Sequence, residues 1–103
     1  MIYKLVVSKH AAELLDNLLH HLLYHLKSKQ AAIHLLEDIT HIYNRLEENP
    51  FQFPVSKDPY LNKKNYREAI VPKRNYILIF CVKAQTVNIL GIFHQLENYQ
   101  DKL

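Results

Sequence analysis

The sequence has 103 residues, 49% of them hydrophobic and 22% charged, and a formal net charge of +3. This length and balance suit one globular domain with one hydrophobic core, and they exclude a wholly disordered chain. The single glycine excludes the glycine-rich loops that bind nucleotide phosphates, and no apolar run is long enough to span a membrane. We therefore expect a single domain over residues 1–103, with no cofactor and no membrane partner.

The chain has one cysteine, Cys81, within an apolar run. A lone cysteine forms no disulfide within the chain, which fits a reducing compartment, and its expected role is that of a small core residue. The short apolar start is followed by Lys9 and His10, so it does not resemble a signal peptide. The sequence therefore predicts a cytoplasmic protein.

The N-terminal half is predicted to form a strand and two helices. Residues 1–7, MIYKLVV, are rich in β-branched and aromatic residues, as in a strand, and Ser8 then offers a helix N-cap. Apolar residues recur at helical spacings of three and four over residues 9–27 and again over residues 30–48. Asn49-Pro50 ends the second helix, because the residue before a proline avoids the α region. The short link between the helices predicts an antiparallel hairpin.

The C-terminal half is predicted to be a loop and three strands. Residues 50–65 hold three prolines and are expected to form a loop of limited flexibility. Strand patterns follow over residues 66–71, 76–82 and 86–94, separated by polar turns. Gly91, inside the last strand, indicates a β-bulge or a close backbone approach. The order β-α-α-β-β-β predicts an α+β domain, with the helical hairpin on one face of a mostly antiparallel four-stranded sheet.

Basic residues are concentrated between Lys57 and Lys83. Seven basic residues stand against two acidic ones in this segment, a charge of +5: Lys57, Lys63, Lys64, Arg67, Lys73, Arg74 and Lys83 against Asp58 and Glu68. Such a segment suits a phosphate backbone or an acidic protein partner. A solvated loop face without a partner is the alternative that remains open.

Several histidines lie near one another in the predicted helical hairpin: His20, His21, His25, His34 and His41. His21 and His25 have the i, i+4 spacing of a pair on one helix face. A zinc site needs three or four ligands, usually with a carboxylate or thiolate among them, and these histidines sit on differing faces. We therefore expect no metal site.

The element order and the last strand resemble the RelE/ParE superfamily of toxins from bacterial type II toxin–antitoxin pairs. The run VNILGIFHQLENY, residues 87–99, is similar to the ending of ParE-type members, in which a histidine closes the final strand. The run YREAIVPKRNYILIFCV, residues 66–82, is similar to the middle hairpin of the family. The resemblance implies a growth-inhibiting toxin that is neutralised by a short, acidic and partly disordered antitoxin.

One branch of the superfamily implies an enzyme. RelE-type members are ribosome-dependent mRNA endonucleases, in which a ribose 2′-OH attacks the adjacent phosphate. This reaction needs a proton acceptor, a proton donor and cations near the developing charge. The resemblance places His94 at the strand-ending histidine, Tyr99 near the C-terminal tyrosine and Arg67 at the start of the second strand. Arg74 would reach the same site from the turn.

Two of the cationic residues expected in a RelE-type enzyme are missing from this sequence. Ile77 stands where RelE-type enzymes have an arginine in the third strand, and Gln95, Leu96 and Glu97 stand where another arginine is expected after the histidine. Each charge-stabilising donor can be worth roughly 10²-fold in rate, so these losses argue against an efficient nuclease. The ParE branch, whose members inhibit DNA gyrase by binding it, is therefore favoured.

The predicted function is that of a ParE-like toxin whose partners are DNA gyrase and a cognate antitoxin. The alternatives are a RelE-like nuclease, with the ribosome and mRNA as partners, and a degenerate, non-toxic binding module. We expect the antitoxin to dock in an apolar groove between the helical hairpin and the sheet. The residues expected to contact target or antitoxin are Lys63, Lys64, Arg67, Lys73, Arg74 and Lys83.

Overall fold

The computed structural model describes residues 2–72 and 75–103. Lys73 and Arg74, predicted in the turn between the second and third strands, lie outside the described residues. The predicted strands and long helices occur in the predicted order, with one added short helix: β1 Lys4–Val7, α1 Lys9–His20, α2 Lys29–Glu48, α3 Pro59–Lys63, β2 Arg67–Val71, β3 Tyr76–Lys83 and β4 Thr86–His94. Within the described part of the chain, no helix combines the length and apolar character needed to cross a membrane.

The four strands form one sheet in the order β1-β4-β3-β2. β1 runs parallel to β4, whereas β4 and β2 each run antiparallel to β3. Parallel neighbours need a long connection, and the chain between β1 and β4 includes the whole helical hairpin. The predicted α+β fold with a mostly antiparallel sheet is therefore confirmed.

The two long helices form the predicted hairpin, and each begins at a serine. The N–H of Ala11 donates to Oγ of Ser8 at 3.0 Å, and the N–H of Ala31 donates to Oγ of Ser28 at 3.2 Å. These bonds satisfy N–H groups that have no acceptor inside the first turn of a helix. Ser8 thus has the capping role predicted for it.

The first predicted helix, residues 9–27, is α-helical only as far as His20. His21–His25 form a π-helical turn, in which the N–H of Leu26 donates to the carbonyl of His21 at 3.1 Å. This wider turn places the His21 and His25 rings one above the other, with centroids 5.2 Å apart. Lys27 then adopts a φ of 51°, the left-handed conformation common at helix ends.

β3 is apolar along most of its length because both faces of the sheet are covered. Leu78 and Phe80 belong to a cluster with the helical hairpin, whereas Ile77 and Ile79 belong to a second cluster. Successive side chains of a strand point to opposite faces, so the two clusters lie on the two faces. Cys81 is 7% exposed, as predicted for a core residue. The second face is covered from α3 and the C-terminal segment by Leu61, Tyr99 and Leu103.

The segment 50–65, predicted as a loop, contains two short helices. Pro50–Gln52 form a 3₁₀ turn. Asp58 caps the N-terminus of α3, because its Oδ1 accepts from the N–H groups of Tyr60 and Leu61 at 2.9 and 3.1 Å. α3 brings Leu61 to full burial. The loop prediction is wrong here because a five-residue helix is too short to show an apolar period.

The β-bulge predicted at Gly91 is present, and the close approach there comes from a side chain rather than from another backbone segment. The β3–β4 register pairs Phe80 with Ile89 and Ile79 with Gly91, so Leu90 is an extra residue and forms a β-bulge. A Cβ at position 91 would lie 2.6 Å from the ring of Phe93. Glycine is therefore needed here for space, at the point where the strand changes its pairing.

Candidate functional site

His94 ends β4 on the helix-covered face of the sheet. It pairs with Tyr76 on β3, and the two rings make an edge contact with centroids 6.0 Å apart. Nδ1 of His94 accepts from the N–H of Leu96 at 3.1 Å. Because Nδ1 is an acceptor in this bond, the proton of the neutral ring is assigned to Nε2. The ring is half-exposed, and none of its hydrogen bonds within residues 2–72 and 75–103 uses Nε2.

Tyr99 lies on the opposite face of the sheet from His94. Its ring stacks on Phe93, with centroids 5.5 Å apart and an angle of 18° between the planes. Phe93 and His94 are consecutive residues of β4, so their side chains point to opposite faces. The sheet therefore separates the histidine and the tyrosine that a nuclease would use together.

Arg67 begins β2 at the other end of the sheet. Its Nη1 donates to the carbonyl of Phe53 at 2.7 Å, and its guanidinium lies 5.0 Å from the ring centroid of Phe51. Arg67 pairs with Phe80 of β3, whereas His94 pairs with a β3 residue four positions earlier. Four residues of a strand span roughly 13 Å, so Arg67 and His94 are not brought together.

The residues that stand in place of the two missing arginines, Ile77 and the segment 95–97, carry no positive charge. Ile77 is 3% exposed in the second cluster. Oε1 of Glu97 accepts from the N–H of His94 at 2.8 Å, and Oε2 pairs with Lys102. Burial raises the pKa of Glu97, but the hydrogen bonds from Lys102 and His94 outweigh it and the net pKa is lowered. The spacing of three residues between His94 and Glu97 is the sequence signal for this contact.

The described lysines of the basic segment lie near the end of the β2–β3 strand pair where β2 begins and β3 ends. Lys63 and Lys64 close α3 just before β2, Lys83 ends β3, and all three are exposed. The ammonium of Lys64 lies 4.4 Å from the ring centroid of Tyr60, and a hydrogen bond to Tyr60 raises the pKa of Lys64. These lysines and Arg67 share one end of the sheet.

One acid of the basic segment is buried, which the sequence did not indicate. Glu68 is 5% exposed, and its Oε1 accepts from the backbone N–H of Lys57 at 2.9 Å. Its pairing with Ile79 places it on the second face of the sheet. Glu68 thus holds the chain that leads into α3 against the sheet.

Tyr99 gives the protein a testable dependence on alkaline pH. Burial, and then the carboxylates of Glu68 and Asp58, raise the pKa of Tyr99 above its ordinary value of 10.0. The phenol of Tyr99 therefore loses its proton at a lower pH in the unfolded chain than in the folded protein. The free energy of unfolding falls as the pH rises past 10.0. Tyr99→Phe should lose less free energy of unfolding than the wild type between about pH 8 and about pH 11, measured by urea denaturation. The same change at the exposed Tyr24 is the control, and equal losses in Tyr99→Phe and wild type would contradict the effect.

Among the described residues, core side chains fill the space between the helical hairpin and the sheet, where an apolar groove was predicted. Leu35 of α2 and Phe80 of β3, both 0% exposed, belong to the core that fills this space. Protein cores pack closely, so facing stripes leave no channel between them. Exposed apolar side chains lie on the outer face of α2, where Ile33, Leu36 and Thr40 line a shallow depression with Glu37.

Two histidines of the helical hairpin, His21 and His25, form a stacked pair. His20 contacts Tyr24 with ring centroids 4.6 Å apart. Within residues 2–72 and 75–103, no group of three or more His, Cys, Asp or Glu side chains is placed to hold a metal ion. A pair supplies fewer ligands than the three or four that a zinc site takes from a protein.

The comparisons with known proteins agree with the fold. Residues 5–99 match the model of the family described as "ParE toxin of type II toxin-antitoxin system, parDE". The chain belongs to this family. The match confirms the RelE/ParE resemblance and its ParE branch. This ParE-family toxin is also similar in structure to a chain described as "Chromosomal ParDE TA system from P. aeruginosa".

That structural match has a TM-score of 0.71 and a sequence identity of 22%, and it covers 90% of this chain and 96% of that chain. At this identity the likeness supports the fold alone. No curated protein matches the chain. The family match thus shows a toxin of a type II toxin–antitoxin pair.

Proposed function

We propose that this ParE-family toxin inhibits bacterial growth in the cytoplasm by binding DNA gyrase, and that a cognate antitoxin neutralises it. The family match supports the toxin, and the separation of the candidate catalytic residues supports a binding mechanism over mRNA cleavage. His94 and Tyr99 lie on opposite faces of the sheet, and Arg67 lies at its other end. This separation is the observation that carries the proposal.

The chemistry of RNA cleavage explains why the separation matters. The acid, the base and the charge-stabilising cation must reach one phosphodiester within hydrogen-bond distance. Among the described residues, the side chain that accepts a hydrogen bond from the His94 backbone is the carboxylate of Glu97, an acidic group where a nuclease would need a cation. The geometry therefore favours a surface that acts by contact with a protein.

The cationic end of the sheet supplies the contact surface in this proposal. Its described residues are Lys63, Lys64, Arg67 and Lys83. Lys73 and Arg74, which the sequence also predicts as contact residues, lie outside the described residues. A patch of one sign attracts an acidic partner and speeds its association. We assign this patch to the antitoxin, with the toxin target as the competing ligand.

Expression of the toxin alone, with separate readouts of DNA supercoiling and mRNA integrity, tests the mechanism. We expect arrested growth, relaxed plasmid DNA and intact transcripts, and we expect the purified toxin to inhibit supercoiling by gyrase. Co-expression of the antitoxin should restore growth. Transcripts cut within the ribosomal A site would instead indicate the RelE-like nuclease, and unaffected growth would indicate a non-toxic binding module.

His94→Gln separates the two mechanisms in the toxin itself. A binding mechanism uses no proton transfer at His94, so we expect gyrase inhibition and growth arrest to be unchanged. A nuclease that relied on this imidazole would lose about 10²-fold to 10⁴-fold in rate. Gln95→Ala, at the exposed neighbouring position, controls for local disturbance, and thermal melting confirms folding of both variants. Loss of toxicity in a folded His94→Gln variant would refute the binding mechanism.

A further inference from the structure

A small cavity opens beside Arg67 at the end of the sheet where β2 begins. It has a volume of about 200 Å³, and it is lined by Phe51, Val55, Asn65, Arg67 and Val82. Val55 forms an isolated β-bridge with Arg67, which anchors one wall of the cavity to β2. Three of its walls are apolar side chains, and the half-buried guanidinium supplies the charge.

The guanidinium of Arg67 is held in place but not neutralised. Its Nη1 donates to the carbonyl of Phe53 at 2.7 Å, and the ring of Phe51 lies beneath it at 5.0 Å. No ion pair among the described residues includes Arg67. The acids at the end of α2, Glu47 and Glu48, line a different cavity. The remaining donors of Arg67 therefore stay available for an anion.

A second fixed cation, Arg45, contacts the same segment as Arg67, residues 51–53. The guanidinium of Arg45 lies 4.7 Å from the ring centroid of Phe53, and its Nε and Nη2 donate to Oε1 of Gln52 at 3.1 and 2.8 Å. A hydrogen bond between a charged donor and a charged acceptor is roughly twice as strong as one between neutral groups. The cavity is thus a positively charged recess with apolar sides.

We propose that this recess binds the carboxylate of one acidic side chain, flanked by apolar residues, in the antitoxin segment that covers the toxin. This proposal rests on the proposed function and adds the chemical group recognised at that surface. The carboxylate pairs with Arg67 and Asn65, and the neighbouring apolar residues contact Phe51, Val55 and Val82. An arginine fork suits a carboxylate, since two N–H groups can donate to its two oxygens.

The shape of the recess favours a peptide over RNA. A volume of about 200 Å³ is below the range of ordinary small-molecule pockets, and it suits one acidic side chain rather than a nucleotide. Base stacking needs a free aromatic face. The ring of Phe51 is covered by Arg67 on one face, and it meets Tyr3 in an edge contact with centroids 6.0 Å apart.

Titration by NMR with short blocked peptides tests this assignment on the unaltered protein. One peptide carries a single glutamate among leucines, and its matched control carries glutamine. We expect the glutamate peptide to shift the Arg67 Nε–Hε, Asn65 and Val82 resonances, and to bind about tenfold or more tightly than the glutamine peptide. Equal binding of the two peptides, or shifts confined to other residues, would overturn the proposal.

Two variants and a titration with single-stranded RNA complete the test. Arg67→Gln should remove the preference for glutamate, whereas Lys29→Gln, an equal loss of charge at the start of α2, should retain it. A single-stranded RNA oligonucleotide that moves the same resonances at lower concentration than the peptide would assign the recess to nucleic acid and overturn the proposal. Growth arrest and its reversal by antitoxin are measured separately, so the proposed function can stand while the carboxylate site fails.

Discussion

Replacing Phe80 by alanine is expected to lower the free energy of unfolding by about 3 to 5 kcal/mol. Phe80 is 0% exposed in β3, an inner strand of the sheet, and its ring meets the edge of the Phe53 ring with centroids 6.1 Å apart. Removing the ring loses its burial and leaves a cavity between the sheet and the helical hairpin. A loss of this size is a large part of the total stability of a small domain, about 5 to 15 kcal/mol.

Urea denaturation of Phe80→Ala measures this loss. Leu96→Ala is the matched control, because Leu96 is 89% exposed and truncation there should change stability by less than about 0.5 kcal/mol. We also expect Phe80→Ala to lose toxicity together with folding. If Phe80→Ala lowers the free energy of unfolding by less than about 1 kcal/mol, that result would contradict the packing of β3 against the helical hairpin.

Gly91→Ala is expected to cost about 1 to 3 kcal/mol, because the added methyl group has no space. The new Cβ would lie 2.6 Å from Cε2 and Cζ of Phe93 and 3.2 Å from Cδ1 of Leu14. The ring of Phe93 is 1% exposed and stacked on Tyr99, so it cannot swing aside without disturbing the C-terminal segment. The bulge at Leu90 fixes the strand at this point.

A double-mutant cycle separates the clash from any other effect of alanine. In a Phe93→Leu background the space above position 91 is freed, so Gly91→Ala should cost less than about 0.5 kcal/mol there. The free energies of unfolding of the wild type, both single variants and the double variant supply the coupling energy. An equal cost in both backgrounds would show that the Phe93 ring is not what requires glycine.

Much of the fold could be predicted from the sequence because it depends on local patterns. Apolar spacings of three and four marked the two long helices, and β-branched runs marked the four strands. The stop at Asn49-Pro50 and the cap at Ser8 follow from properties of single residues. The α3 helix and the π-helical turn at His21–His25 escaped prediction because each is too short to show a period.

The candidate site depended on contacts that local patterns do not reveal. Arg67 and Lys83 are distant in sequence, but the β2–β3 pairing brings their strand ends together. Arg67 and Val71 are close in sequence, yet they lie at opposite ends of β2. The burial of Glu68 and the contact of Glu97 with His94 likewise arise from how the chain packs.

The face on which His94 lies shows most clearly what only the tertiary structure decides. The sequence alone determined that a histidine ends the last strand and that a tyrosine follows five residues later. The extra residue at Leu90 reverses the alternation of β4, because a shift by one residue turns each later side chain to the other face. Phe93 therefore meets Tyr99 on the second face, while His94 faces the helical hairpin. The glycine indicated a bulge, but the register of β4 on β3 decides which residue is extra, so the separation of His94 from Tyr99 could not be read from residue order.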